Sequence, residues 1–130
     1  MSDDALVAAA VKAKEAAYAP YSKFRVGAAI QTADGRVFTG CNVENASYGL
    51  TMCAERVAAG AAVAAGATKF VRVVVATDVD PPSSPCGACR QVLLEFGPDI
   101  EVDSVGLHWN RHWTLTELLP AAFDKDFKRG

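Results

Sequence analysis

The sequence predicts an α/β layered domain with a mixed sheet. Segments with a helical spacing of apolar residues alternate with short β-branched runs along the 130 residues. Two of these runs flank a hairpin turn, which predicts an antiparallel pair of strands. Another run is mostly β-branched, with four valines among its eight residues, which is typical of a central strand covered on both faces. A chain of this length is expected to form one domain, covering residues 1–130.

The first half of the chain predicts a helix, a hairpin and a second helix. Residues 4–17 place small apolar side chains on one helical face. Residues 24–32 and 37–41 predict strands joined by a turn at 33–36. Residues 53–65 are mostly small and apolar, with seven alanines and two valines. A helix that is apolar all round is expected to be buried on every side, here partly by other subunits.

The second half of the chain predicts a buried strand, a helix and a closing hairpin. The predicted elements follow in the order strand 70–77, helix 86–96, strand 100–108, strand 113–115 and a helical turn at 115–119. The helix is expected to end where Gly97 and Pro98 interrupt it. His108 and His112 are expected in the turn between the last two strands.

Composition and charge predict an ordinary soluble globular protein. Apolar residues make up 51% of the chain, charged residues 22%, and the net charge is −2. The sequence has no basic stripe, so we expect a small-molecule partner rather than a nucleic acid polymer. Neither a signal peptide nor a transmembrane stretch is apparent, which predicts a cytoplasmic location. In that reducing compartment, the four cysteines favour metal or thiol chemistry over disulfides.

Three cysteines and one glutamate predict a catalytic zinc site. Cys53 opens one predicted helix, and Cys86 and Cys89 lie on one face at the start of another. Three protein ligands leave the fourth position of a tetrahedral zinc open, which is typical of catalytic rather than structural sites. Glu55 lies in the first turn of its helix, where it can move protons to and from a metal-activated water. These groups suit hydrolysis, including the deamination of nucleobases.

Two arginines are candidates for tuning this site. Three thiolates give a zinc site net negative charge, which makes the metal a weaker Lewis acid. Arg56 is three residues after Cys53 and Arg90 is four residues after Cys86, so each guanidinium can reach a sulfur on its own helical face. We expect both arginines to restore the acidity of the metal through hydrogen bonds to the sulfurs.

The cysteine spacing alone leaves other interpretations open. A single Cys-x-x-Cys pair also occurs in redox sites and zinc knuckles. A non-catalytic structural zinc module would need a fourth ligand, and Cys41, His108 and His112 are available for it. We expect Cys41 to be an inert core thiol and both histidines to be surface or packing residues. The polar loop at 42–49 suits the binding of hydroxyl groups, or is simply a solvated connection.

The combined motifs resemble those of the zinc-dependent cytidine deaminases, in their small, homotetrameric, three-cysteine form. The matching segments, which cover nearly the whole chain, are Tyr21 to Ala29, Gly40 to Gly49, Cys53-Ala54-Glu55, Pro85 to Gln91 and Glu117 to Pro120. The resemblance implies a three-layer α/β/α domain with a mixed sheet of about five strands. It also implies one Zn²⁺ per subunit, held by Cys53, Cys86 and Cys89.

The resemblance implies that cytidine and 2′-deoxycytidine are hydrolysed to uridine and 2′-deoxyuridine with release of ammonia, a reaction of pyrimidine salvage. A zinc-activated water attacks C4 of the base, while Glu55 protonates N3 and later the leaving amino group. Asn42 and Glu44 would hold the ribose hydroxyls. Phe24 would lie beside the base, and the backbone of Ala54 would contact its carbonyl or ring nitrogen.

Neighbouring subunits complete each pocket in the family, and the candidates for this role here are Ala46, Tyr48 and Phe127. A deaminase of a modified cytosine nucleoside such as blasticidin S shares the cysteine motifs and is the main alternative. The loop that carries two asparagines and Glu44 favours the plain nucleosides. A nucleic-acid-editing deaminase is disfavoured by Cys53, where histidine is usual. Residues 107–113 are more aromatic than the corresponding hairpin of the family.

Overall fold

The computed structural model describes residues 2–123, which form a mixed sheet with helices on both faces. In chain order the strands are β1 (Gly27–Thr32), β2 (Val37–Cys41), β3 (Phe70–Ala76), β4 (Glu101–Val105) and β5 (Asn110–Thr114). The helices are α1 (Ser2–Lys14), α2 (Ala54–Ala64), α3 (Gly87–Leu94) and the short α4 (Leu115–Leu118). Within the described range, no helix is long and apolar enough to cross a membrane.

Over residues 2–123, the sheet has five strands in the order β2-β1-β3-β4-β5. β3 and β4 are parallel, and the other neighbouring strands are antiparallel. The parallel pair is joined through α3, as a crossover connection requires. The carboxyl ends of β3 and β4 therefore lie at the same edge of the sheet. The loop that leads from β3 to α3 starts at that edge. The predicted α/β class with a mixed, five-stranded sheet is confirmed.

Strand β3 is covered on both faces, as its valine-rich sequence predicts. Val73 and Val75 belong to the larger core, which includes residues of α2 and α3. Val74 and Ala76 belong to the smaller core on the opposite face, where Leu6 of α1 packs. Because side chains alternate along a strand, two separate helical layers cover the two faces of one sheet.

The start of α2 is held close to β2 by a glycine. A Cβ atom added to Gly40 would lie 2.5 Å from the backbone nitrogen of Ala58 and 2.6 Å from the carbonyl oxygen of Ala54. Any larger residue would push the helix away from the strand. This close approach fixes the position of the helix that begins directly after Cys53.

Within a single chain, helix α2 is buried on one face, and the predicted burial of its other side by neighbouring subunits stays a prediction. Its alanine face, which includes Ala58 and Ala62, is buried against the sheet. On the opposite face Gly60 is exposed, and Val63 retains 42% of its accessible surface. A single chain therefore covers one face of this helix.

The last hairpin differs from the prediction in its boundaries. β4 ends at Val105, and His112 lies inside β5 instead of in the connecting turn. The turn occupies residues 106–109, where Asp80 accepts hydrogen bonds from the backbone N–H groups of His108 and Trp109. The sequence could not indicate this boundary, because the carboxylate that fixes it comes from a distant loop.

Candidate metal centre and active site

Three cysteine sulfurs converge where α2 and α3 begin. Cys53 immediately precedes α2, Cys86 immediately precedes α3, and Cys89 lies in the first turn of α3. The Sγ atoms of Cys53 and Cys86 are 3.8 Å apart, and those of Cys86 and Cys89 are 3.4 Å apart. All three sulfurs lie within 4.8 Å of one another. The predicted cysteine residues are therefore brought together by the fold.

The sulfur spacing fits a tetrahedral zinc ion. A Zn–S distance of about 2.3 Å places two sulfurs of a tetrahedron about 3.8 Å apart. The pKa of Cys53 is lowered to about 5, first by its hydrogen bond with Cys89 and further by Arg56. The pKa of Cys89 is raised, because it donates in that pair and because it is buried. One thiol is therefore readily ionised, and metal binding would displace the proton of the other.

Among residues 2–123, no fourth metal ligand joins the three cysteines. Cys41 lies in β2 and is not part of the cluster. The side chain of His108 contacts Asp80, and that of His112 contacts Asp103. A structural zinc site uses four protein ligands, whereas three leave a position for water or substrate. The described residues therefore favour a catalytic centre over a structural one.

Glu55 is a buried carboxyl group beside the cysteines. The residue retains 5% of its accessible surface. Burial is the main reason that its pKa is raised, and the nearby charge of Cys53 raises it further. Side chains two residues apart on a regular helix do not face each other, which would separate Glu55 from Cys53. Cys53, however, has an extended backbone and precedes the first helical residue, which removes that objection.

Arg56 contacts a cysteine sulfur as expected from its spacing. Its Nη2 donates to Sγ of Cys53 at 3.6 Å and to the carbonyl oxygen of Thr51 at 3.3 Å. The sulfur contact is the main reason that the pKa of Arg56 is raised. The guanidinium thus provides positive charge next to the sulfurs. The Thr51 carbonyl that orients it was not identified from the sequence, because any residue type supplies a carbonyl.

Arg90 makes different contacts from those expected. Its Nε donates to the carbonyl oxygen of Pro85 at 2.8 Å, and its Nη1 to that of Leu118 at 2.8 Å. Its Nη2 donates to Oγ of Ser84 at 2.9 Å. All three nitrogens are therefore engaged away from the sulfurs. Arg90 therefore holds the loop before Cys86 against α4. The predicted hydrogen bond from Arg90 to a cysteine sulfur is wrong, because its three nitrogens donate to other acceptors.

Asn42 and Glu44 organise the backbone segment that carries Phe24. Asn42 donates from Nδ2 to the carbonyl oxygen of Phe24 at 2.8 Å and accepts at Oδ1 from the N–H of Val26 at 2.9 Å. These contacts explain why β1 begins at residue 27 and not at residue 24. Glu44 accepts at Oε1 from the N–H of Tyr21 at 3.0 Å and from that of Ser22 at 3.1 Å.

The other predicted contact residues lie around this loop. The side chain of Ala54 is fully buried, whereas Ala46 is exposed. Tyr48 retains 78% of its accessible surface and meets Tyr21 edge-on, with ring centroids 6.4 Å apart. Phe127 lies outside the described residues. A separate cavity of about 840 Å³ is lined by residues from 68–71 and 94–99 together with Gln91, and it contains no cysteine.

Three converging thiols, a buried carboxyl and a hydrogen-bonding loop on an α/β sheet define a class of protein. Zinc-dependent nucleobase deaminases hold a metal with thiol or imidazole ligands and use a separate glutamate as the general acid and base. The present site contains each of these parts, and it supplies three protein ligands rather than four. The geometry therefore indicates a zinc-dependent deaminase.

Comparisons with known proteins agree with this class. Residues 1–102 match the family model described as the cytidine and deoxycytidylate deaminase zinc-binding region. A cytidine deaminase of Sporosarcina psychrophila is 45% identical, over 97% of this chain and 94% of that protein. One of Halalkalibacterium halodurans is 47% identical, over 95% of each chain. The crystal structure of a cytidine deaminase from Burkholderia pseudomallei superimposes with a TM-score of 0.90 at 51% identity, over 95% of this chain and 100% of that one.

The chain belongs to the cytidine deaminase family, which confirms the resemblance recognised in its motifs. Membership also confirms that the protein is a zinc-dependent hydrolytic deaminase.

Proposed function

We propose that this protein hydrolyses cytidine and 2′-deoxycytidine to uridine and 2′-deoxyuridine, with release of ammonia. The observation that carries the proposal is the convergence of Cys53, Cys86 and Cys89 next to the buried Glu55. The relatives named as cytidine deaminases match over more than nine tenths of this chain. Their similarity supports the same substrate class.

Cys53, Cys86 and Cys89 would hold one Zn²⁺ in each subunit. The bound ion supplies Lewis acidity, which lowers the pKa of a water molecule at the open position. Arg56 withdraws negative charge from the sulfur of Cys53 by donating a hydrogen bond to it. This contact compensates in part for the charge of three thiolate ligands.

Glu55 would carry protons between water and the substrate. It takes a proton from the attacking water and gives it to N3 of the cytosine ring. It then passes the second proton to the amino group at C4, so that the C4–N bond breaks and ammonia leaves. Because burial raises the pKa of Glu55, the carboxyl group can hold a proton more readily than an exposed glutamate.

Asn42 and Glu44 would bind one sugar hydroxyl. An asparagine amide has two N–H donors, of which Phe24 takes one. A carboxylate accepts about four hydrogen bonds, and Tyr21 and Ser22 supply three of them to Glu44. Counting the contacts among residues 2–123, one donor and one acceptor remain, which together satisfy a single hydroxyl group. This supports acceptance of both ribose and 2′-deoxyribose.

Phe24 and Ala54 would contact the base. Phe24 retains 38% of its accessible surface as a residue, which leaves it available to a ligand. Ala54 is the first residue of α2, so its N–H group has no partner within the helix and can bind the base carbonyl or ring nitrogen.

We further propose that the protein is a single domain that forms a cytoplasmic homotetramer acting in pyrimidine salvage. Tyr48, Leu50 and Met52 are exposed apolar residues near the site, and such patches favour subunit contacts. Ala46 and Tyr48 would approach the site of a neighbouring subunit, and Phe127 is a further candidate for this role.

The proposal is tested by following the fall in absorbance at about 280–290 nm as cytosine becomes uracil. Zinc-loaded wild type is expected to turn over cytidine and 2′-deoxycytidine. Glu55→Gln is expected to lose turnover while keeping its zinc and its fold, because an amide cannot carry the proton. Turnover that survives in this variant would contradict the role of Glu55. A zinc-replete wild type with no turnover of either nucleoside would contradict the proposed substrates.

A further inference from the structure

The hydroxyl group of Ser22 connects the side chain proposed to hold the sugar, that of Glu44, with the backbone of Phe24, the residue proposed to lie beside the base. Its Oγ donates a hydrogen bond to Oε2 of Glu44 and accepts one from the backbone N–H of Phe24 at 3.0 Å. The backbone N–H of Ser22 also donates to Oε1 of Glu44 at 3.1 Å. One small residue therefore contacts both the carboxylate and the segment that presents the aromatic ring.

The chain around Ser22 forms a tight turn with a strained backbone. Lys23 has a φ of 63°, in the left-handed region that is unfavourable for residues other than glycine. Its N–H donates to the carbonyl oxygen of Ala19 at 3.0 Å. Strained residues persist when their surroundings hold them firmly. The hydroxyl of Ser22 provides such support, because its bond to the N–H of Phe24 spans Lys23.

Ser22 also prepares the carboxylate of Glu44 to accept a hydroxyl group. A free glutamate side chain samples many rotamers, and fixing it on binding costs entropy. Here the side chain is fixed by contacts with Tyr21 and Ser22. The side-chain hydrogen bond from Ser22 is also the main cause that lowers the pKa of Glu44. The group therefore remains an ionised acceptor in a defined orientation.

We propose that Ser22 is a positioning residue for the nucleoside. Its hydroxyl orients Glu44 toward the sugar and at the same time fixes the backbone of Phe24 beside the base. This inference rests on the proposed function, because it concerns the same site and the same substrates. Ser22 touches no reacting atom, so its removal is expected to act on KM rather than on kcat.

The test compares Ser22→Ala with the conservative variant Ser22→Thr in steady-state assays with cytidine and 2′-deoxycytidine. Loss of a hydrogen bond to a charged group is expected to raise KM by roughly tenfold for both substrates. We expect kcat to stay within about twofold of wild type, because the zinc ligands and Glu55 are not contacted. Ser22→Thr retains a hydroxyl and is expected to recover most of the lost affinity. A general loss of structure would instead lower kcat and Tm together, and would show no such recovery.

A double-mutant cycle tests whether Ser22 acts through Glu44. In a Glu44→Ala background, the effect of Ser22→Ala on KM is expected to shrink to about twofold or threefold. The remaining effect belongs to the contact with Phe24. An unchanged KM in Ser22→Ala, or an undiminished effect in the Glu44→Ala background, would overturn the inference.

Calorimetric binding of uridine separates this inference from the proposed function. If zinc-loaded wild type binds uridine but does not turn over cytidine, the proposed reaction fails, and the Kd of Ser22→Ala for uridine still tests the positioning role. We expect that Kd to rise by roughly tenfold. If zinc-loaded wild type neither turns over cytidine nor binds uridine, both the proposed function and the role of Ser22 are overturned.

Discussion

At the scale of single residues, the site is governed by how charge is distributed around the sulfurs. The sulfurs of Cys53, Cys86 and Cys89 converge at one point, and the guanidinium of Arg56 donates to that of Cys53. Glu55 lies close by and is buried. The loss of hydration raises its pKa and favours its protonated form. The arginine therefore supports the anionic ligands, while burial prepares the neighbouring carboxyl for proton transfer.

Removal of the Arg56 charge is expected to weaken catalysis without emptying the metal site. For Arg56→Gln we expect kcat to fall by roughly 10- to 100-fold, as is typical when a group hydrogen-bonded to a metal ligand is lost. The measurement is turnover of cytidine at saturating substrate, with zinc content determined on the same sample. Arg36→Gln is the matched control, because Arg36 pairs with Asp34 in the β1–β2 turn. Equal kcat values for Arg56→Gln and wild type would refute the role of Arg56.

At the scale of elements, both helices that begin at the site are fixed by contacts away from it. Gly40 allows the backbone of α2 to approach β2, which fixes the position of Cys53 and Glu55 relative to the sheet. Arg90 connects the loop before α3 with the end of α4. The cysteine geometry thus depends on backbone packing and on a partly buried hydrogen-bond network as much as on the cysteines.

We expect Arg90→Ala to loosen the loop that leads to Cys86. The variant loses hydrogen bonds to Ser84, Pro85 and Leu118. The free energy of unfolding is expected to fall by about 2–3 kcal/mol, since two backbone acceptors lose a charged donor. Zinc release to a coloured chelator should become faster. Thermal unfolding and the rate of release are the two measurements.

Arg90→Lys is the matched control. Lysine keeps the positive charge but lacks the planar guanidinium with which arginine donates to these three acceptors. We expect it to restore only part of the lost stability. If Arg90→Ala unfolds at the wild-type temperature and releases zinc at the wild-type rate, Arg90 does not hold this loop.

The sequence predicted the elements better than it predicted the contacts between them. Local patterns located the first four strands and the three long helices, because strand and helix patterns are local properties. The last strand was predicted at 113–115, whereas β5 spans Asn110–Thr114. Hairpin boundaries were less accurate, since Asp80 fixes the turn before β5 from a distant loop. The role of Arg90 was misassigned for the same reason. Its spacing in the sequence allows a contact with Cys86. In the structure, the guanidinium of Arg90 donates instead to the carbonyl groups of Pro85 and Leu118.

At the scale of the whole molecule, one chain supplies the metal ligands but leaves much of the surrounding surface uncovered. Tyr48 and Leu50 are exposed in the segment that leads to Cys53, and one face of α2 carries small and apolar residues that stay exposed in the described part of the chain. Small residues allow close approach between helices, which suits a subunit interface. One chain would then supply the groups that carry out the reaction, while neighbouring subunits would supply part of the pocket walls.

A charge placed on the exposed face of α2 is expected to separate the subunits. Val63 retains 42% of its accessible surface in the single chain, and Val71 of β3 retains 41%. If α2 lies at an interface, Val63→Glu buries an unpaired charge there and converts the proposed tetramer to smaller species with much lower kcat/KM. Val71→Glu, which is equally exposed but lies on another element, is expected to keep the wild-type mass. Sedimentation velocity and zinc content measured on both variants decide the question. A fully active Val63→Glu protein of unchanged mass would place α2 outside any interface, whereas a zinc-loaded but inactive monomer would show that the pocket is completed by neighbouring subunits.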